Sequence, residues 1–168
     1  MAAEHPINRR LRRRQYLNLG LGELFAAAVF AGIAASGLVP GTDTPALWWA
    51  LTPLLAILVQ AGIHWLSARR WVGRATMPGA MASAYLALRL INPLLLTAGL
   101  VGMIAQFPDG GAAALTIAVW LFGVLEYLNY FVVRLSYPIH RWASTVTQWR
   151  TPQLVKDIRA AGGSHRDT

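Results

Sequence analysis

The chain has 168 residues, 55% of them hydrophobic and only 13% charged; soluble domains carry about a quarter charged residues, so lipid is the natural solvent for this one. A formal charge of +8 would suit a nucleic-acid partner only if it lay on one face of a soluble fold. Here the cations stand beside apolar runs, where they orient a chain in a membrane and attract anionic headgroups, so no nucleic acid is expected. The absence of cysteine excludes thiolate nucleophiles and iron–sulfur ligation.

Residues 1–16 read as a basic cytosolic N-terminus, with Arg9, Arg10, Arg12, Arg13 and Arg14 placed ahead of the first apolar run. Four runs follow, over 17–39, 46–66, 80–105 and 112–136. Each is long enough to cross a hydrocarbon core of about 30 Å at about 1.5 Å per residue. They are continuous rather than alternating, which makes them helices and not barrel strands. The links after the first and third runs are short and carry Pro, Gly and one Asp each, which forces antiparallel neighbours. The expectation is an all-α fold, with residues 17–136 forming an integral membrane four-helix bundle, up-down-up-down. Arg13-Arg14-Gln15-Tyr16-Leu17 also resembles a twin-arginine export signal, with Ala34-Ala35-Ser36 as a cleavage site. The run is longer than a signal core of about 7–15 residues, and three more spans follow.

The cations fall on one side. Besides the five N-terminal arginines there are Arg69, Arg70 and Arg74 in the middle link, then Arg134, Arg141, Arg150, Lys156, Arg159 and Arg166 after the fourth run. The opposite side holds Asp43 and Asp109. This asymmetry leads to the expectation that both termini lie in the cytoplasm. Trp48 and Trp49 mark the outer boundary, Trp65 and Trp71 the inner one. Residues 137–168 are expected to form a cytosolic or interfacial tail with short amphipathic helical character. Ile139, Trp142, Val146 and Trp149 suggest a helix in the headgroup layer. Thr151-Pro152 then opens a helix from Gln153 to Ala161, ended by Gly162-Gly163.

Candidate functional residues are the polar groups inside the spans. Arg89 lies about 14 Å from the inner boundary by helical rise, where a charge costs on the order of 2.5–3.5 kcal/mol or more without a partner. Glu126, at a matching depth on the fourth span, is the expected partner, and the pair would lock two helices or carry function. Asn92 shares a face with Arg89, and Asn129 and Tyr130 share one with Glu126. Pro93 frees a backbone carbonyl in the turn before it. Glu23 on the first span is expected to pair with Arg89 or with the first-span arginines, or to snorkel toward water. Gln60 and His64 share a face of the second span; His64 is either an ordinary boundary histidine or a proton-relay member. Ala28, Gly32 and Ser36 make a ridge of small residues, beside Ala27, Ala31 and Ala35, that suits either packing within the bundle or a dimer face.

No phosphate loop, His-Glu-x-x-His pair or nucleophile elbow occurs. Of the four histidines only His64 is near a span, so no bis-histidine haem is expected, and no cofactor, metal or catalytic residue is assigned. The run Glu126-Tyr127-Leu128-Asn129-Tyr130-Phe131, then Leu135-Ser136-Tyr137 and Lys156-Asp157-Ile158, resembles a pattern in small bacterial four-span membrane proteins of uncharacterised activity. Arg134 stands where that pattern has glutamine. The resemblance implies a bacterial plasma-membrane protein in which Glu126, Asn129 and Tyr130 act as a unit, and it brings no activity. The leading expectation is a non-enzymatic membrane accessory or interaction protein, working with a protein partner or as a homo-oligomer. The alternatives are a small oligomeric transporter or proton-coupled carrier using Glu126 or Glu23, and an enzyme acting on lipid headgroups at the cytoplasmic face.

Overall fold

A computed structural model describes residues 6–37, 44–72, 76–108, 110–132 and 152–163. The described chain is all-α. Helix α1 covers Pro6–Ala35, α2 Thr44–Trp71, α3 Gly79–Ala105 and α4 Gly110–Tyr127. A π-helical turn, Leu128–Val132, continues α4, and a short helix α5 covers Gln153–Gly163. The segments Arg10–Ala35, Thr44–Trp71, Gly79–Ala105 and Gly110–Val132 are each long and apolar enough to cross a membrane. They pack as an antiparallel four-helix bundle. α1 begins at Pro6 rather than at residue 17, because proline suits a first helical turn and the following Arg, Leu and Gln are strong helix formers. Hydropathy marks where lipid begins, which is a different place from where the helix begins. For the same reason α2 runs on to Trp71 through Arg69 and Arg70. The surface helix expected over 139–150, and the end of the fourth span beyond Val132, lie outside the described residues.

The bundle is three helices around one. Over its apolar stretch α2 is 56% buried, against 17–22% for the other three spans. Its composition permits this: Ala46, Ala50, Pro53, Ala61, Gly62 and Ala68 are all buried, and small residues let helix backbones approach closely. α1 crosses α2 where Gly20 meets Gly62. A Cβ added at Gly20 would lie 3.0 Å from the Gly62 carbonyl and 2.7 Å from Leu66 Cγ. α3 approaches α2 at Gly99, and α4 approaches both α2 and α3 at Gly123, close to Leu54 and Leu96. The ridge of Ala28, Gly32 and Ser36 takes no part in this packing. All three are exposed, while Ala27 and Ala34 beside them are buried.

Two apolar clusters fill the interior. Ala27, Ala34, Leu47, Leu51, Leu54 and Leu58 occupy the half of the bundle away from the arginines. The second, around Ile57, Trp71, Tyr85, Phe131, Leu154 and Ile158, fills the end where the arginines lie, called here the basic end. α5 contributes Leu154, Ile158 and Ala161 to this second cluster and packs against α3 and the π turn. The C-terminal helix is therefore docked on the bundle.

Polar side chains pin the spans. Gln60 and Asn92 exchange two amide hydrogen bonds, Gln60 Nε2 to Asn92 Oδ1 at 3.1 Å and Asn92 Nδ2 to Gln60 Oε1 at 2.8 Å. Tyr85 donates to the Gln60 carbonyl at 3.0 Å. Trp120 Nε1 donates to the Leu96 carbonyl at 2.9 Å, tying α4 to α3. Pro93 has no N–H for the carbonyl four residues back; that carbonyl belongs to Arg89 and is met by the Tyr127 hydroxyl at 3.2 Å.

Candidate functional site

Apart from the Gln60–Asn92 pair between α2 and α3, the candidate polar residues divide into three places. The first is a cavity of about 370 Å³ at the basic end, lined by Glu23, Trp65, Glu126, Asn129 and Tyr130 among others. α1 brings Glu23, α2 brings Trp65, and α4 with its π turn brings the rest. Gln15 and Leu19 of α1 also line it, as do Pro152 and, from α5, Gln153 and Leu154. The Tyr130 hydroxyl donates to Glu23 in a short hydrogen bond, and Trp65 Nε1 donates to the same phenolic oxygen at 3.5 Å. The Asn129 amide bonds to the Glu126 carboxylate. Among the described residues neither carboxylate forms a salt bridge, so two acidic groups from different helices share one cavity with two aromatic rings.

The π turn explains why these groups meet. A π turn widens the helix by one residue and is frequently met at functional sites. Here it begins two residues after Glu126 and contains Asn129 and Tyr130. Tyr130 thereby reaches α1 and α2 while Asn129 still reaches back to Glu126.

The second place is the contact of α5 with α2. His64 is fully buried and stands edge-on to Trp65 and Tyr85, with ring centroids 5.3 and 5.6 Å away. Neither ring nitrogen makes a hydrogen bond. The Asp157 carboxylate of α5 is 3.6 Å from His64 Nε2. Gln153 donates to Asp157 at 2.7 Å, and the Trp71 indole bonds to it as well. Burial raises the Asp157 carboxyl above its usual 3.8, and those two hydrogen bonds pull it back in part. A second, smaller cavity of about 180 Å³ adjoins Asp157, between Arg12, Tyr16, Trp71 and Gln153.

The third place is Arg89, which stands apart. Its side chain is exposed, and among the described residues it meets no carboxylate. The expected Arg89–Glu126 pair does not form. Tyr127, not Glu126, faces Arg89 across α3 and α4, and one residue along a helix is a rotation of about 100°, which turns Glu126 toward α1. Glu23 likewise takes Tyr130 and the Glu126 side of the cavity instead of Arg89 or the first-span arginines. Asn92 is fully buried with Gln60 and belongs to the α2–α3 contact, not to the carboxylates. His64 is deep in the packed core and not an open boundary histidine.

Sequence reasoning did not pick out Trp65, Gln153 or Asp157 as site residues. Gln153 and Asp157 stand at i and i+4 of α5, one face of a helix, and that spacing was the available signal. The geometry defines a membrane-spanning helical bundle with an acidic, aromatic-walled cavity at its basic end. No known protein family, curated protein or solved structure matches the chain.

Proposed function

We propose that the chain is a non-enzymatic component of a bacterial plasma membrane, with both termini in the cytoplasm, that binds a partner or ligand through its cytoplasm-facing cavity. One observation carries this reading. The carboxylates of Glu23 and Glu126 converge with Asn129 and Tyr130 on a cavity at the basic end, whereas the far half of the bundle is filled by Leu47, Leu51, Leu54 and Leu58 with Ala27 and Ala34. Such an arrangement can hold something at one face, and among the described residues it offers no continuous polar route to the other. The sidedness follows from the arginines, which belong inside. The run Glu126-Tyr127-x-Asn129-Tyr130, which resembles that of small bacterial four-span proteins, supplies Glu126, Asn129 and Tyr130 to the cavity wall.

The second reading is a proton-coupled carrier, favoured by the two carboxylates that face one another without a salt bridge. Reconstitution separates the two. Vesicles holding the purified chain and a trapped pH dye should leak protons under an imposed gradient no faster than protein-free vesicles. Proton flux that disappears in Glu23→Gln or Glu126→Gln would overturn the proposal and establish the carrier. Sidedness is read separately in whole cells, because the chain has no cysteine background. A cysteine at Gly110 should react with an impermeant thiol reagent added outside, and one at Gly73 should not.

A further inference from the structure

Arg89 is a full charge on a membrane-spanning helix, turned outward, with no carboxylate in contact among the described residues. An unpaired cation facing hydrocarbon is costly, and an anion at the membrane surface would offset that cost. Its depth decides which anion is in reach. α3 has 27 residues, Gly79–Ala105, which is about 40 Å of helix against a core of about 30 Å. Centred in the bilayer, it overhangs by about 5 Å at each end, and Arg89, ten residues from Gly79, lies about 10 Å inside the basic boundary. α4 gives a second measure. Its Tyr127 hydroxyl touches the Arg89 carbonyl, and Tyr127 is 17 residues from Gly110, about 25 Å along that helix and so about 5 Å from the same boundary.

Direction agrees with depth. Every Cα–Cβ bond of a helix tilts toward its N-terminus, and the N-terminus of α3 is at the basic end. The Arg89 side chain therefore leans toward the headgroups, and arginine can lay its aliphatic stem along apolar surface while the guanidinium seeks the interface. Beside it, Leu86, Leu90 and Leu94 recur every four residues as an outward apolar strip, exposed by 49, 73 and 69%. A planar fork of donors above an apolar strip is complementary to a phosphodiester above an acyl chain.

We propose that Arg89 and the Leu86–Leu90–Leu94 strip form a binding site for one anionic phospholipid, with the guanidinium on the headgroup phosphate and an acyl chain along the leucines. This site lies on the outer surface of α3, apart from the acidic cavity, and it does not depend on the function proposed above. It also differs from the diffuse attraction of the arginine-rich flanks, because it requires one residue at one depth.

Native mass spectrometry of the full chain, released from mixed micelles of phosphatidylglycerol and phosphatidylcholine, tests it. The wild type should retain one phosphatidylglycerol that Arg89→Leu holds about tenfold more weakly, the loss expected for one charge-assisted contact. Arg89→Lys should fall between them, and Arg14→Gln, in the basic flank, should behave as wild type. Arg89→Leu removes an unpaired charge from lipid, so its insertion is not at risk, and Arg89→Lys provides a second variant that keeps the charge. Equal retention by wild type and Arg89→Leu would overturn the site. So would a wild-type dimer that Arg89→Leu abolishes, since the anion would then come from a second copy of the chain.

Discussion

Gly99→Ala should destabilise the bundle, whereas Gly32→Ala should leave it unharmed. Pro53 has no N–H, so the carbonyl four residues earlier, that of Trp49, has no helical donor, and it faces Gly99 on α3. A Cβ at Gly99 would lie 2.6 Å from that oxygen and 3.1 Å from Pro53 Cγ. Leaving the range below 3.0 Å takes at least 0.4 Å of movement (3.0 less 2.6). What must move is backbone, between two helices that each contain a proline, Pro53 and Pro93. Overpacking of this kind costs about 1–3 kcal/mol, and alanine's better helix propensity returns at most about 1 kcal/mol. The net loss at Gly99 is therefore about 0–2 kcal/mol, and Gly99→Ala should lie about 1–3 kcal/mol below Gly32→Ala, which has the same propensity gain. At Gly32 no atom stands within 4 Å of the added Cβ, and only the propensity gain remains. Equilibrium unfolding in mixed micelles, followed by tryptophan fluorescence, measures both. Equal stabilities for the two variants, or a more stable Gly99→Ala, would refute the close α2–α3 approach.

The Gln60–Asn92 exchange predicts coupling. Asn92→Leu and Gln60→Leu should each cost about 1–2 kcal/mol, and the double variant about 1 kcal/mol less than their sum, given the size of interhelical hydrogen bonds in membranes; additive losses in the cycle would show that the amides find other partners. Asp157 predicts a pH dependence for docking of α5. Its carboxyl is raised above 3.8 by burial, so docking favours the protonated form. The stabilisation is complete below about pH 4 and is lost as pH rises through the elevated value. Protection of α5 amides from hydrogen exchange, corrected for intrinsic rates, should fall over that window in the wild type and stay level in Asp157→Asn; level protection in both would show that Asp157 does not govern docking.

The spans were readable in the sequence because continuous apolar stretches have no other stable home. Their helical ends were not, since arginine and glutamine are good helix formers outside lipid as well as near it, as α1 from Pro6 shows. The grouping of Glu126 with Asn129 and Tyr130 was readable from spacing alone, and even the π turn does not break it. The Arg89–Glu126 pairing failed for an azimuthal reason. Matching depths along two helices says nothing about which way each residue faces, and Tyr127 occupies the face that the pairing had given to its neighbour. The link from Asp157 to His64 had no local signal. It depends on where α5 docks after a long connection, and helical spacing within α5 fixes only which side of it is apolar.

A helix ringed by three others has little perimeter left for lipid. On α2 the exposed positions are Pro45, Trp49, Thr52, Val59, Ile63 and Arg70, and their steps of three, four and seven trace one straight line along the helix. The outer wall is thus a C and not a closed ring, and the central helix shows through a slot one residue wide. Sequence drift in α2 should be confined to that slot. Elsewhere each α2 side chain must fit two or three neighbours at once, while α1, α3 and α4 can exchange one apolar side chain for another wherever they meet only acyl chains.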